Sequence, residues 1–219
     1  MKNLYESKKN NYYSQERKDI IQLIDQKDLT ILEIGAAQCD TLVYLKEQGI
    51  AKEIHAVELM EIPNSNQQNK MLNSIFIGKI EDWNCDHLHG KFDRIILADV
   101  LEHLYDPWSI LNKLYCLLNS NGKIIVSIPN IRYLDSFINI ILKGSFPYEN
   151  DGLFDKTHIR FFCKKNMIEL FKSTGYHIEK SYPSVHFLNS MDKPKLLNNL
   201  SFGLFEEFFS LQYYFILKK

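Results

Sequence analysis

The chain lacks the features that would assign it to a membrane, a disulfide framework or a polyanion. Nowhere in its 219 residues do eighteen apolar residues run together, so no segment reads as a membrane span. Residues 1–10 hold no apolar stretch of the kind that heads a secreted chain, and the expected location is the cytoplasm. The four cysteines, Cys39, Cys85, Cys116 and Cys163, form no Cys-x-x-Cys pair and no His/Cys cluster at metal-ligand spacing. They read as free thiols, and no metal is expected. Neither sign of charge dominates: 26 Lys and Arg against 27 Asp and Glu leave a net charge of -1. That balance gives no electrostatic reason to expect a nucleic-acid partner. Glycine is also sparse, nine in all, and no loop carries the run of glycines that cradles a pyrophosphate.

What is present suits a single domain, 1–219, with one sizeable core: 45% of residues are hydrophobic and 24% charged. Apolar spacing predicts an amphipathic helix at 14–26. Strands follow at 29–34, 53–57, 74–77, 92–98 and 123–128, each an apolar run without alternation, as when helices cover both faces. Between them lie a helix at 41–48 closed by Gly49 and another at 106–118 ended by Asn121-Gly122. Such alternation implies an α/β, doubly wound, mostly parallel sheet with its crevice at the carboxyl ends of the strands. Beyond Pro129 the pattern changes to a helix at 134–142, an irregular stretch at 144–158, a helix at 164–173 and a strand at 176–182. A long connection, with Pro183 and Pro194, then leads to a last strand at 211–217. Residues 1–27 are expected to form a lid and about 131–163 a substrate-side insertion. The large apolar groups at 137–142 and 202–209 are expected in the core, with a hydrophobic lip for a lipid-linked substrate or a partner as the alternative.

The first strand runs Ile31-Leu32-Glu33-Ile34 into Gly35-Ala36-Ala37-Gln38-Cys39-Asp40, and the second ends Ala56-Val57-Glu58-Leu59. An apolar strand, a tight small-residue turn and an acid about 20 residues on describe a nucleotide crevice in which the acid takes the ribose hydroxyls. With Ala37 and Cys39 in place of further glycines, the expected ligand is an adenosine without a phosphate chain, S-adenosylmethionine. Gly35 and the amides of Ala36 and Ala37 would face it, and Glu33 would meet its ammonium. Leu59, Ile80 and Glu81, with Asp82, would form the adenine slot. Asp99 and Val100 emerge at the end of the fourth strand near the sulfonium, with His103 on the adjoining turn. Tyr5, Tyr12 and Tyr13 form a further cluster, and Tyr13 is the candidate for the methionine carboxylate.

The glycine turn, Glu58, Phe92-Asp93, the Asp99-Val100-Leu101-Glu102-His103-Leu104 segment and Ser127-Ile128-Pro129-Asn130 together resemble class I S-adenosylmethionine-dependent methyltransferases, over residues 29–182. The resemblance is greatest to the branch with a Leu-Glu-His motif after strand four. It implies a seven-stranded Rossmann-like sheet whose antiparallel last strand is inserted beside the fifth. Family members carry Gly-x-Gly-x-Gly where this chain has Gly35, Ala37 and Cys39.

A second segment, Asp155-Lys156-Thr157-His158-Ile159-Arg160-Phe161-Phe162, is similar to one in bacterial methyltransferases of surface-polysaccharide synthesis. His158 has the intrinsic basicity to take a proton from an attacking hydroxyl near neutral pH, and Asp155 is the candidate to orient it, with His103 as a second candidate base. Arg160 and Tyr133 are the candidates for substrate binding. The expected activity is metal-independent O-methylation of a sugar or sugar-phosphate group by a monomer or homodimer. N-methylation of an amino sugar or small amine and a non-catalytic methyltransferase-like subunit are the alternatives.

Overall fold

The computed structural model describes residues 16–187 and 192–219. Tyr5, Tyr12 and Tyr13 lie outside the described residues, as does the start of the expected first helix. Seven strands form one sheet in the order β3-β2-β1-β4-β5-β7-β6. They are β1 (Leu29–Ile34), β2 (Ala51–Glu58), β3 (Ser74–Ile77), β4 (Phe92–Ala98), β5 (Leu118–Pro129), β6 (His177–Pro183) and β7 (Gln212–Lys218). β1 to β5 are parallel, and β7 runs antiparallel between β5 and β6. The strand order reverses between β1 and β4, which sets the ligand crevice of an open α/β sheet at their carboxyl ends.

Successive side chains of a strand point to opposite faces, and the two cores divide accordingly. Leu32, Ile95, Leu97, Ile124, Val126 and Phe215 face one helical layer, while Ile31, Ile54, Ile96 and Ile125 face the other. The first layer is built by α3 (Pro107–Leu117) and α5 (Lys164–Ser173); Leu111, Leu114, Met167 and Phe171 pack on the strands, with Phe171 edge-on to Phe215 at 5.0 Å. The second is built by α1 (Lys18–Ile21) and α2 (Asp40–Glu47) through Ile20, Leu42 and Leu45. Each fully buried Leu, Ile or Phe contributes about 1.5–3 kcal/mol, which fixes the face each strand presents.

Several expected elements differ. Among the described residues the first helix is a single turn, Lys18–Ile21, held to α2 through Arg17 and to β7 through Asp19. The backbone N–H of Arg17 donates to Thr41 Oγ1 at 3.1 Å, and the Tyr214 hydroxyl donates to Asp19 at 2.9 Å. Asn121-Gly122 does not end α3. The helix stops at Leu117, Leu118 already pairs with Phe92, and Gly122 lies inside β5, where a Cβ would meet the Phe92 carbonyl oxygen at 2.8 Å. The long connection also holds structure: Pro194 opens α6 (Lys193–Leu200) instead of breaking the chain, as proline can in a first helical turn.

The apolar stretches at 137–142 and 202–209 are largely surface. α4 (Leu134–Ser136) continues as a π-helical segment, Phe137–Leu142, and Ile141 and Leu142 are about two-thirds exposed. Phe202 is 96% exposed, just before α7 (Glu206–Phe209). The two stretches follow β5 and precede the antiparallel β7, so both sit at the carboxyl edge of the sheet, where Phe137 meets Phe208 at 6.4 Å. The sheet faces are already filled by the two cores, which leaves these side chains outside. Among the described residues no helix is long and apolar enough to cross a membrane.

Candidate functional site

Gly35 leaves β1 with φ +69°, and a Cβ there would meet Val100 Cγ2 at 2.8 Å, so the turns after β1 and β4 close against each other only with glycine. Ala37 and Cys39 adopt φ +48° and +64°. The non-glycine residues therefore keep left-handed turn geometry at a local strain cost. The loop is pinned on both sides. The backbone N–H of Ala37 donates to Glu58 Oε2 at 2.8 Å, and its carbonyl accepts from Gln67 Nε2 at 2.8 Å. Gln67 has no signal in the motif, because it lies on the connection after β2.

Glu58 is buried at the end of β2 and also accepts the Leu59 N–H at 2.7 Å. The two carboxylate oxygens hold the amides of Ala37 and Leu59, and the Met60 amide pulls on the same carboxylate. Burial raises its pKa against the opposing pull of those amides. Glu33, beneath the turn, is 3% exposed and its Oε2 has no hydrogen-bond partner among the described residues. Burial pushes its carboxyl up to about 8; the positive charge of Arg17 works against this, and Glu58 and Asp40 add to it. The Ala36 methyl is buried in the core, so only its backbone faces the turn.

Asp99 follows β4 with φ +56°. Its Oδ1 accepts the Ser127 hydroxyl at 2.8 Å and its Oδ2 pairs with Arg17 Nη1 at 2.8 Å. Arg17 was not anticipated, since a lone arginine before a helix carries no spacing signal. Ile80 and Glu81 lie in a 3-10 turn, Ile80–Asp82, after β3. Ile80 is buried, Glu81 is exposed, and the Ile80 carbonyl is held by Lys113 Nζ at 3.0 Å.

On the other side of Val100, the 3-10 turn Leu101–His103 brings Glu102 and His103 to the carboxyl edge. The Glu102 carbonyl accepts the N–H groups of both Ile159 and Arg160 at 3.0 Å. This clamp carries His158 over the turn, with the His103 and His158 rings 4.7 Å apart and His158 Nε2 3.9 Å from Glu102 Oε1. His103 Nδ1 lies 3.0 Å from the Thr157 carbonyl and His158 Nδ1 3.1 Å from the Leu153 carbonyl. Glu102 is 1% exposed, neither carboxylate oxygen has a hydrogen-bond partner among the described residues, and burial raises its pKa well above the ordinary range. One ligand atom from each of the three residues lies within 4.8 Å of the others. Glu102 and His103 are neighbours in the sequence, and the fold adds His158, 55 residues on, which no spacing rule links to them.

The Asp155 Oδ1 accepts from the Thr157 N–H at 2.8 Å and from its hydroxyl at 2.7 Å, so Asp155 shapes the turn that carries His158, and the Leu153 carbonyl holds the ring. Arg160 donates to the Tyr105 carbonyl and lies 5.3 Å from the Trp108 ring, at the outer rim. Tyr133 precedes α4 and is partly buried just beyond β5.

Among solved structures, the chain is similar to an S-adenosylmethionine-dependent methyltransferase from Archaeoglobus fulgidus, at 19% identity over 93% of this chain and 90% of that one, with a TM-score of 0.60. It is similar to a chain of the complex between the Haloferax volcanii Trm112 methyltransferase activator and a methyltransferase, at 11% identity, 95% and 90% coverage and a TM-score of 0.65. A third is the 1,6-didemethyltoxoflavin-N1-methyltransferase of Burkholderia thailandensis with bound S-adenosylhomocysteine, at 15% identity, 87% and 70% coverage and a TM-score of 0.56. At these identities the likeness is one of fold. No curated protein sequence matches the chain significantly. The profile of the Methyltransferase domain family matches residues 5–181, most of the sequence, and the chain belongs to that family.

Proposed function

We propose that the protein is an S-adenosylmethionine-dependent methyltransferase acting on a hydroxyl group, with a sugar or sugar-phosphate as the acceptor class. The observation that carries the cofactor reading is Glu33: a buried carboxylate oxygen with no hydrogen-bond partner among the described residues, under a turn in which a Cβ at Gly35 would meet Val100 at 2.8 Å. A buried acid in that state is stabilised by an incoming ammonium, which the amino-acid end of this cofactor provides. Glu58 is an acceptor at the end of β2 suited to a ribose hydroxyl, and the residues present fit the group. When bound, S-adenosylmethionine supplies a methyl carbon on a sulfonium, so that the oxygen–carbon bond forms as the carbon–sulfur bond breaks and a neutral thioether leaves.

The chain's own contribution is alignment, exclusion of water and handling of the acceptor proton. Asp99, at the end of β4 next to the Gly35 turn, balances the charge of Arg17, with which it pairs at 2.8 Å. Glu102, His103 and His158, grouped beyond Val100, are the groups that handle the loss of an acceptor hydroxyl's proton. A set of three such groups supports an oxygen nucleophile over an amine, which needs only to arrive unprotonated. The test is methyl transfer from labelled cofactor to a panel of nucleotide sugars, free sugars and amino sugars, with wild type and His158→Ala. A hydroxyl acceptor whose turnover falls about 100-fold or more in the variant supports the reading. Turnover confined to amines, with little loss in His158→Ala, overturns it.

A further inference from the structure

The Glu102, His103 and His158 cluster has a feature that a general base does not require. A carbonyl oxygen only accepts, so the contacts of His103 Nδ1 with Thr157 and of His158 Nδ1 with Leu153 place the proton of each neutral ring on Nδ1. Nε2 then carries the lone pair in both rings. Fixing one ring nitrogen as a donor to a backbone carbonyl is how metal-ligating histidines are oriented, and here it occurs twice in one cluster. The third member, Glu102, is almost fully buried, and neither carboxylate oxygen has a hydrogen bond among the described residues. A contact of 3.9 Å to His158 Nε2 is too long to satisfy either of them. Burying such a group without a partner is costly, and the nearby Asp99 and Asp155 make an added negative charge costlier still. A cation between the three groups removes that cost.

We propose that Glu102 and the Nε2 atoms of His103 and His158 form a binding site for one divalent transition-metal ion, with the remaining coordination positions open to the crevice. Two imidazoles and a carboxylate select zinc, iron, cobalt or nickel over magnesium or calcium, which prefer all-oxygen shells. Metal–ligand bonds of about 2.0–2.2 Å bring ligand atoms to roughly 3–3.5 Å from one another. The present separations, up to 4.8 Å, therefore close by side-chain rotations of about an ångström. The ion's role rests on the methyl-transfer reading: an acceptor oxygen completing the shell loses its proton to water at lower pH than in bulk, which replaces metal-independent catalysis at this cluster. Binding of the ion does not depend on that reading.

The test is equilibrium dialysis of chelator-treated full-length protein against Zn²⁺ alone and Co²⁺ alone, with S-adenosylhomocysteine titrated in parallel. One tight equivalent is expected in wild type, weakened at least about 10–100-fold in Glu102→Gln, His103→Ala and His158→Ala. It is expected to be unchanged in a His87→Ala/His89→Ala/Cys116→Ser control that removes exposed surface ligands. The bound Co²⁺ should show ligand-field bands without thiolate charge transfer. That spectrum carries the test in wild type if a cluster variant does not fold. No stoichiometric ion in wild type, equal binding by the cluster variants, or thiolate bands in the cobalt spectrum overturns the proposal. Metal binding without cofactor binding keeps this site and removes the methyl-transfer reading; cofactor binding without metal does the reverse.

Discussion

Glu33→Gln should make the protein more stable and at the same time weaken its hold on the cofactor. The folded-state carboxyl sits at about 8, against an ordinary 4.5. Between these values the unfolded chain has released its proton while the folded chain retains it. The unfolded state thus binds fewer protons, and the stability of the wild type falls as pH rises through this window. Each pH step above 4.5 costs about 1.4 kcal/mol, so the penalty at neutral pH is about 3 kcal/mol. Glutamine keeps the shape and cannot ionise, so its stability carries no such slope. All other titrating groups are common to both proteins and cancel in the comparison. Urea unfolding at about pH 5.5 and about pH 7.5 should show the variant's advantage growing by about 2–3 kcal/mol. At neutral pH the gain corresponds to a melting temperature higher by about 6–12 °C. In the same protein, S-adenosylhomocysteine affinity should fall at least about tenfold, because a neutral amide forms a weaker bond to the ammonium than a carboxylate does. A difference in stability that does not change with pH would refute the burial argument, and unchanged affinity would refute the assignment of Glu33 to the cofactor.

Further expectations follow from the same turn. Ala37→Gly should relieve about 1–2 kcal/mol of left-handed strain, less the entropy that glycine loses, for a net gain of about 0.5–1 kcal/mol readable in a thermal melt. Gly35→Ala should lose about 2 kcal/mol or more and weaken cofactor binding, since the added methyl meets Val100 at 2.8 Å; a melt unchanged from wild type contradicts the close approach. Cofactor binding near neutral pH should release about one proton from Glu33, measured as a dependence of calorimetric heat on the ionisation enthalpy of the buffer.

The sheet was legible because its central strands are apolar on both faces: the runs at 29–34 and 92–98 coincide with β1 and β4. The antiparallel β7 beside β5 came from family resemblance, since nothing in the run Tyr213 to Leu217 states its direction. The positions of Glu33, Gly35 and Glu58 were readable because each lies at or just beyond a strand end. Glu102 stood within a recognised motif, yet its importance depends on burial, which a sequence does not display. Arg17, Gln67 and Lys113 act through tertiary contacts to Asp99, Ala37 and Ile80 and have no periodic signature. The placement of 137–142 and 202–209 failed for a related reason. Hydrophobicity predicts burial only while core surface remains to be covered, and here α1, α2, α3 and α5 already cover it.

The central claim is that the crevice between the Gly35 turn and Glu58 holds an adenosyl amino acid, and isothermal titration of the full-length protein with S-adenosylhomocysteine tests it most directly. One site per chain is predicted, weakened at least about tenfold by Glu58→Ala through loss of its hydrogen bonds to the ribose. No heat of binding at millimolar ligand, or equal binding by Glu58→Ala, would contradict the account.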